Sequence, residues 1–327
     1  MEKRTRQTAF AALGAVVGSG FASGKEIASF FSRYGRWSWL GIAAAAAVVL
    51  MITLRVLKNP GTGGMPERWE GKWQGVLWRC MFGLLMLTTG GAMLAGGGEI
   101  AALMLPVQNA YVLGVAVTGT LTLMLAWQGE KSSAVISRIL VILLMVMAGA
   151  GFFLPVRQGA ALYVDAPCRS VLQGACYAGF NMALAVPGLA AAAEKMSRKM
   201  CVHCAMLTAG LLGVLLLGAN ALLLRHPTLQ GEAMPFVILI SGYGKTGYVL
   251  GGACMYLAVQ TTACASLRGV WSFLQERSRW RFVPAAGMLL CAFFGFSGLV
   301  ERVYPVLGMV CLVLMAGAFC TKNEKNA

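Results

Sequence analysis

GAVVGSGFASGKEI, residues 14–27, interrupts the first apolar segment of the chain with four glycines and two serines, and then with Lys25 and Glu26. An interior glycine costs a helix about 1 kcal/mol relative to alanine. A charged side chain costs roughly 2.5–3.5 kcal/mol on membrane-insertion scales. Broken, polar backbone is tolerated in a membrane where it lines a cavity. The stretch therefore predicts a discontinuous helix of the kind found in transporters, since glycines that serve only helix packing need no adjacent charges.

The composition predicts a polytopic membrane protein. The 327 residues are 58% hydrophobic and 12% charged, with a mean hydropathy of +0.71, whereas soluble domains carry about 25% charged residues. The lipid bilayer is therefore the expected partner. The net charge of +15 does not indicate nucleic acid, because the basic residues lie between apolar runs and form no patch with interleaved aromatics.

The fold class expected is an all-α membrane protein with about ten transmembrane helices, since each apolar segment suits a hydrocarbon core of about 30 Å. Of the 27 lysines and arginines, 19 fall in one alternate set of loops and 7 in the other. Positive charge favours the cytoplasmic side, so both termini are expected there. A cleaved N-terminal signal peptide is the alternative reading of the first segment. The predicted segments are 8–31, 37–57, 75–104, 107–127, 133–155, 169–193, 202–224, 246–270, 281–298 and 302–320.

The chain divides near its middle into two predicted five-helix halves, 1–156 and 157–327, within one integral membrane domain. An odd number of spans per half gives the halves opposite orientations, as in an inverted-topology repeat. The sixth segment carries CYAGFNMALAVPGLAA, in which Gly179, Asn181 and Pro187 predict a second interruption, because a proline removes a helix hydrogen bond. A simple kink is the alternative.

Three motifs resemble the YkvI-like bacterial membrane proteins: GAVVGSGFASGKEIASFFSRYG (14–35), YAGFNMALAVPGLAAAAE (177–194) and GFSGLVERVYPVLG (295–308). That family is grouped with the amino acid–polyamine–organocation superfamily. The resemblance implies the LeuT-type five-plus-five inverted repeat with broken helices 1 and 6. It also implies a multi-pass protein of the bacterial inner membrane.

The superfamily pattern implies a sodium site shared by the first and eighth segments. Gly14 and Val17 stand in a G-x-x-V-G-x-G run that would offer backbone carbonyls. Ala258, Thr261 and Thr262 would add a carbonyl and two hydroxyls, the oxygen ligands that a hard cation prefers. The alternative is that both hydroxyls bond to carbonyls of their own helix. No other cofactor is expected.

The expected solute site lies where the two broken helices meet. The N–H groups of Gly18, Ser19 and Gly20 could bind an anionic group, and across from them would stand the side chains of Tyr177, Phe180 and Asn181. Glu26 could bind a solute ammonium, carry a proton, or pair with Lys25 or Arg33; these alternatives stay open.

Together these features favour a secondary active transporter of a small polar solute, an amino acid or related amine, coupled to sodium or protons. Its mechanism would be the rocking of a bundle (spans 1, 2, 6 and 7) against a scaffold (spans 3, 4, 8 and 9). The alternative is a non-transporting sensor or scaffold protein with the same fold. An enzyme is not expected, because the span centres hold almost no ionisable groups besides Glu26. The solute, the direction of transport and the oligomeric state stay open.

Overall fold

The computed structural model describes residues 2–59, 72–128, 152–155, 163–193, 196–273 and 282–320, and within these ranges every regular element is helical. Short 3₁₀ segments follow α3, α8 and α9, and a π-helical turn, Leu299–Val303, precedes the last helix. The α-helices of four residues or more are α1 (Glu2–Val16), α2 (Ser19–Ser23), α3 (Lys25–Phe30), α4 (Ser38–Lys58), α5 (Trp73–Met104), α6 (Ala110–Trp127), α7 (Pro167–Ala193), α8 (Arg198–Arg225), α9 (Pro235–Ile240), α10 (Gly244–Phe273), α11 (Phe282–Ala292) and α12 (Tyr304–Cys320).

Seven helical segments of the described chain are long and apolar enough to cross a membrane, and α11 is a shorter apolar helix. The all-α, multi-span class is thus confirmed. Most of the predicted segment 133–155 lies outside the described residues, and the first segment is not among the seven. A count of ten and the inverted repeat stay predictions. The seven segments are Ser32–Lys58, Trp73–Met104, Ala110–Trp127, Pro167–Ala193, Arg198–Arg225, Pro235–Ser272 and Phe296–Ala318.

The helices pack in two groups. In the first group, α1 and α4 both contact α7 and α8. In the second group, α5, α6, α10 and α11 contact one another. Helix α2 touches α10, and α5 touches α7, so the broken first segment lies at the boundary between the groups.

The interruption of the first segment is present in the structure. Helix α1 ends at Val16, and Gly18 is extended (φ −86°, ψ −169°) before α2 begins at Ser19. A second change of direction occurs at Gly24, whose φ of 82° lies in the left-handed region that favours glycine. Gly18 and Gly24 therefore break the helix as predicted, whereas Gly14 lies within α1 and Gly20 within α2.

The predicted interruption of the sixth segment is wrong. Helix α7 runs without a break from Pro167 to Ala193, with Pro187 inside it. A proline removes one N–H donor, and the other backbone groups of the helix keep their hydrogen-bonding pattern. The Asn181 side chain reinforces that pattern, since Nδ2 donates to the carbonyl of Tyr177 one turn earlier at 3.0 Å.

Helices α4 and α7 cross at a close contact between glycines. A Cβ on Gly174 would overlap the backbone carbonyl of Gly41, so only glycine fits there. Small residues allow such close backbone approach in membrane helices. This contact fixes α7 beside the turn that follows the broken helix, and thereby positions the aromatic residues described next.

Candidate functional site

The Lys25 side chain is buried and forms an ion pair with the last span. Its Nζ lies 2.7 Å from Oε1 of Glu301 in the π-helical turn and 3.4 Å from the carbonyl of Gly231. Lys25 is 2% exposed and Glu301 is 43% exposed. The pair therefore joins α3, the last piece of the broken segment, to the start of the last span. It also leaves Lys25 unavailable to Glu26.

The Glu26 carboxyl folds back over the backbone of α2. A Cβ on Gly20 would overlap the carboxyl carbon and oxygen of Glu26, so the missing side chain at position 20 makes the space for this carboxyl. Glu26 is buried, and its Oε2 forms no hydrogen bond to the residues that the structure describes. None of the salt bridges found in the described ranges includes Glu26.

Two tyrosine hydroxyls on other helices lie near this carboxyl, and a threonine hydroxyl lies beside one of them. The hydroxyls of Tyr177 on α7 and Tyr304 on α12 both interact electrostatically with Glu26. Thr89 on α5 brings a third hydroxyl close to that of Tyr304. All three hydroxyls are buried, and apart from the contact between Thr89 and Tyr304 none has a hydrogen-bond partner among the described residues. Glu26, Thr89, Tyr177 and Tyr304 are called the Glu26 cluster below.

Aromatic rings enclose the cluster. The Tyr177 ring packs edge-on against the rings of Phe30 (5.5 Å between centroids) and Phe31 (5.1 Å). The Phe180 ring stacks on Tyr304 at 4.0 Å with an interplanar angle of 22°. These rings shield the polar atoms from solvent, so charges inside the cluster are only weakly screened.

The predicted solute residues come together only in part. The backbone N–H groups of Gly18, Ser19 and Gly20 donate to no backbone carbonyl in the described part of the chain. The Ser19 hydroxyl donates to the sulfur of Met93 on α5. Tyr177 belongs to the Glu26 cluster and Phe180 stacks on its Tyr304 ring, whereas the amide of Asn181 is bonded to its own helix.

The structure also brings together only some of the predicted sodium ligands. A methyl group on Gly18 would lie 4.0 Å from Oγ1 of Thr262, so the break in the first segment adjoins α10 at the foreseen threonine. The Thr261 hydroxyl instead donates to the carbonyl of Ala258 at 3.0 Å, as the local alternative anticipated. A methyl group on Gly14 would meet nothing within 4 Å.

Sequence reasoning missed Thr89 and Tyr304, and the ion pair between Lys25 and Glu301. Tyr304 could have been identified from the sequence, because it lies in the motif GFSGLVERVYPVLG together with Glu301. Thr89 carried no signal, since a threonine in an apolar helix most often bonds to its own backbone.

Comparison with known proteins identifies two relatives of nearly full length, both from Bacillus subtilis (strain 168). The chain is 25% identical to the uncharacterized membrane protein YkvI over 98% of its own length and 96% of the relative's. It is 26% identical to the uncharacterized protein YyaD over 93% of its length and 92% of the relative's. No protein-family model matches the chain. The relatives support a YkvI-like family of membrane proteins.

Proposed function

We propose that this protein is a secondary active transporter of a small polar solute, an amino acid or related amine, coupled to sodium or to protons. The observation that carries the proposal is the Glu26 cluster beside a broken helix. Buried polar groups in proteins are normally hydrogen-bonded, and ionisable groups inside membrane spans most often serve solute or ion pathways. A buried carboxyl close to buried tyrosine hydroxyls, with few hydrogen-bond partners among them, supports a site that binds and releases a solute or an ion.

The division of the helices into two groups supports transport by alternating access. The broken segment belongs to the group of α1, α4, α7 and α8, and its α2 piece touches α10 of the other group. Relative motion of the two groups would open or close the space around Gly18 and the Glu26 cluster. We propose a transporter rather than an enzyme or a non-transporting sensor on this basis.

Counterflow in proteoliposomes tests the function directly. The purified protein is reconstituted with each of a panel of unlabelled amino acids and amines inside, and uptake of the labelled compound is followed with and without sodium. Saturable uptake of one compound, absent from protein-free liposomes, is the expected result. A reconstituted, monodisperse protein that exchanges no compound of the panel would favour the sensor or scaffold alternative.

The sodium form of coupling is tested at Thr262. Thr262→Val keeps the side-chain shape and removes the oxygen next to Gly18, so any stabilisation of the protein by sodium should fall sharply. Thr120→Val is the matched control, because the exposed Thr120 hydroxyl bonds to the carbonyl of Ala116 on its own helix. If sodium has no effect on wild-type stability or uptake, the sodium site is wrong.

We further propose that the protein lies in the bacterial inner membrane with both termini in the cytoplasm. The charge bias of the loops supports this orientation. In a cysteine-free background, a cysteine at position 160 should react with an impermeant reagent in intact cells. Labelling only after permeabilisation would reverse the orientation.

A further inference from the structure

Glu26 lies in the last piece of the broken segment with no charged partner in the described part of the chain. The one ammonium next to it in sequence, that of Lys25, is bound to Glu301 and to the carbonyl of Gly231. A buried carboxylate without a cation or donors is strongly disfavoured. A cation must therefore neutralise the negative charge of the Glu26 carboxylate.

The space around the carboxyl decides what that can be. Oε2 of Glu26 is fully enclosed, with no water-sized space next to it, and so are the hydroxyls of Thr89, Tyr177 and Tyr304. A sodium ion or a solute ammonium needs a cavity of at least about that size. A proton needs none. At Oε2, the enclosed oxygen of Glu26, the proton is therefore the cation that fits.

The other charged and titratable groups near Glu26 lie on the elements packed against α3. Helix α2 carries no titratable side chain, and the Pro227–Gly231 turn carries none. Helices α7 and α12 present the Tyr177 and Tyr304 hydroxyls. Among the remaining groups on these elements, Lys25 and Glu301 pair with each other. Tyr34 is buried, and His226 makes an interaction of its own. The cysteines of α7 and α8 make up the rest, together with the exposed Arg33, Arg36, Arg169, Arg198, Lys199, His203, Arg225 and Arg302.

We propose that Glu26 is the proton-carrying residue of this transporter. A proton from water on one side bonds to the Glu26 carboxylate when α3 moves and wets it. The neutral acid is then buried under the aromatic rings, and the same O–H bond breaks to return the proton to water on the other side. This inference rests on the proposed function and names its coupling ion.

The position of Glu26 links its protonation to conformation. Helix α3 is bounded by Gly24 at its start and by the Ser32–Trp37 turn at its end. It contacts α7, α8 and the π-helical turn. A conformation in which the Glu26 carboxyl is buried binds a proton more tightly than one in which this carboxyl is exposed to water. By linkage, protonation then favours the buried state.

Infrared spectroscopy of the purified protein tests the protonation itself. At neutral pH the wild type should show a protonated-carboxyl C=O band that shifts in D₂O and is lost in Glu26→Gln. The matched control is Glu99→Gln, which removes a half-buried carboxyl that also interacts with Lys25 and should keep the band. A band lost in Glu99→Gln but kept in Glu26→Gln would overturn the proposal. So would a wild-type band that disappears when sodium chloride replaces choline chloride.

Stability gives a second readout that does not need transport. Glutamine mimics the neutral acid, so Glu26→Gln should unfold at the wild-type temperature at neutral pH. Glu301→Gln leaves the buried Lys25 ammonium without its counter-ion and should unfold at a lower temperature. A Glu26→Gln protein that fails to fold would contradict the proposal, because it would show that the charged form is needed.

Transport then tests the coupling. In proteoliposomes, an inward proton gradient should drive accumulation of the solute identified by counterflow. Glu26→Gln should lose gradient-driven accumulation, and accumulation retained in this variant would overturn the coupling role. If the wild type exchanges no solute, the proposed function fails, and the infrared band still decides whether Glu26 holds a proton.

Discussion

The segment from α1 to α3 and helix α7 pack against each other, and both carry glycine beside polar side chains in an apolar stretch. Their backbones nevertheless differ. The first segment breaks at Gly18 and again at Gly24. Helix α7 passes through Gly179, Asn181 and Pro187 without a break.

The difference lies in where the local hydrogen bonds go. In the first segment the Ser23 hydroxyl donates to the carbonyl of Gly20 at 2.8 Å and accepts from the N–H of Lys25 at 3.0 Å. This hydroxyl satisfies backbone groups that the break at Gly24 would otherwise leave without partners. In α7 the polar side chain of Asn181 bonds back within the helix and stabilises its regular course. A break therefore needs both a glycine that can change direction and a side chain that serves the freed backbone.

Gly20→Leu should have the largest effect, because it fills the space occupied by the Glu26 carboxyl. We expect solute uptake to fall by about tenfold or more, equivalent to about 1.4 kcal/mol of lost interaction, while membrane insertion persists. The control is Gly218→Leu on α8, where a Cβ would meet nothing within 4 Å. Uptake is measured by counterflow with monodisperse protein. A stable Gly20→Leu variant with wild-type uptake would show that the broken segment is not the site.

The break could be predicted from sequence because its cause is local. Gly18, Gly20 and Gly24 lie within one short stretch, and their low helix propensity acts whatever surrounds them. The course of α7 could not be predicted in this way, since a single proline such as Pro187 is compatible with either a kink or a break.

The Glu26 cluster could be predicted only in part. Glu26 and Tyr177 stood out as a charge and an aromatic residue beside predicted interruptions. Thr89 and Tyr304 come from α5 and α12, and their approach depends on how those helices pack against α7. Packing of distant segments leaves no periodic signal in the sequence, so these partners become visible only in three dimensions.

The ion pair of the broken segment should respond asymmetrically when either partner is neutralised. Glu301→Gln leaves the buried ammonium of Lys25 without its counter-ion and should cost about 3 kcal/mol of unfolding free energy. Lys25→Met leaves Glu301, which is 43% exposed and can be hydrated, so the loss should be about 1 kcal/mol. Unfolding in mixed micelles measures both values. Equal losses would mean that the burial of Lys25 does not govern the pair.

The backbone difference itself can be tested by one substitution in each region. Gly24→Ala should cost about 1–2 kcal/mol, because φ is 82° there and left-handed backbone is unfavourable for alanine. The new methyl group would also lie 3.1 Å from the Phe236 ring. Pro187→Ala in α7 should leave stability unchanged or higher, since it restores a donor to a continuous helix. If Pro187→Ala unfolds the protein as readily as Gly24→Ala, the proline has a structural role that the continuous helix does not reveal.

The smallest effect is expected at the exposed contact that joins the two regions. Asp165, just before α7, accepts a hydrogen bond from the indole of Trp37 and contacts the guanidinium of Arg36, in the turn after the broken segment. The Trp37 hydrogen bond and the nearby Arg36 hold the pKa of Asp165 below its ordinary value of 3.8.

A carboxyl whose folded pKa is depressed stabilises the fold above its unfolded pKa, and this stabilisation is lost as the pH falls through the folded value. Asp165→Asn should therefore lower the unfolding temperature slightly at neutral pH, and the difference from wild type should vanish on acidification below 3.8. Added salt should shrink the same difference, because both side chains of the ion pair are exposed and screened. Glu232→Gln, at another exposed carboxyl, is the control and should show no such pattern. A difference between Asp165→Asn and wild type that persists in acid would mean that Asp165 joins the regions through shape and hydrogen bonding, with its charge making no contribution.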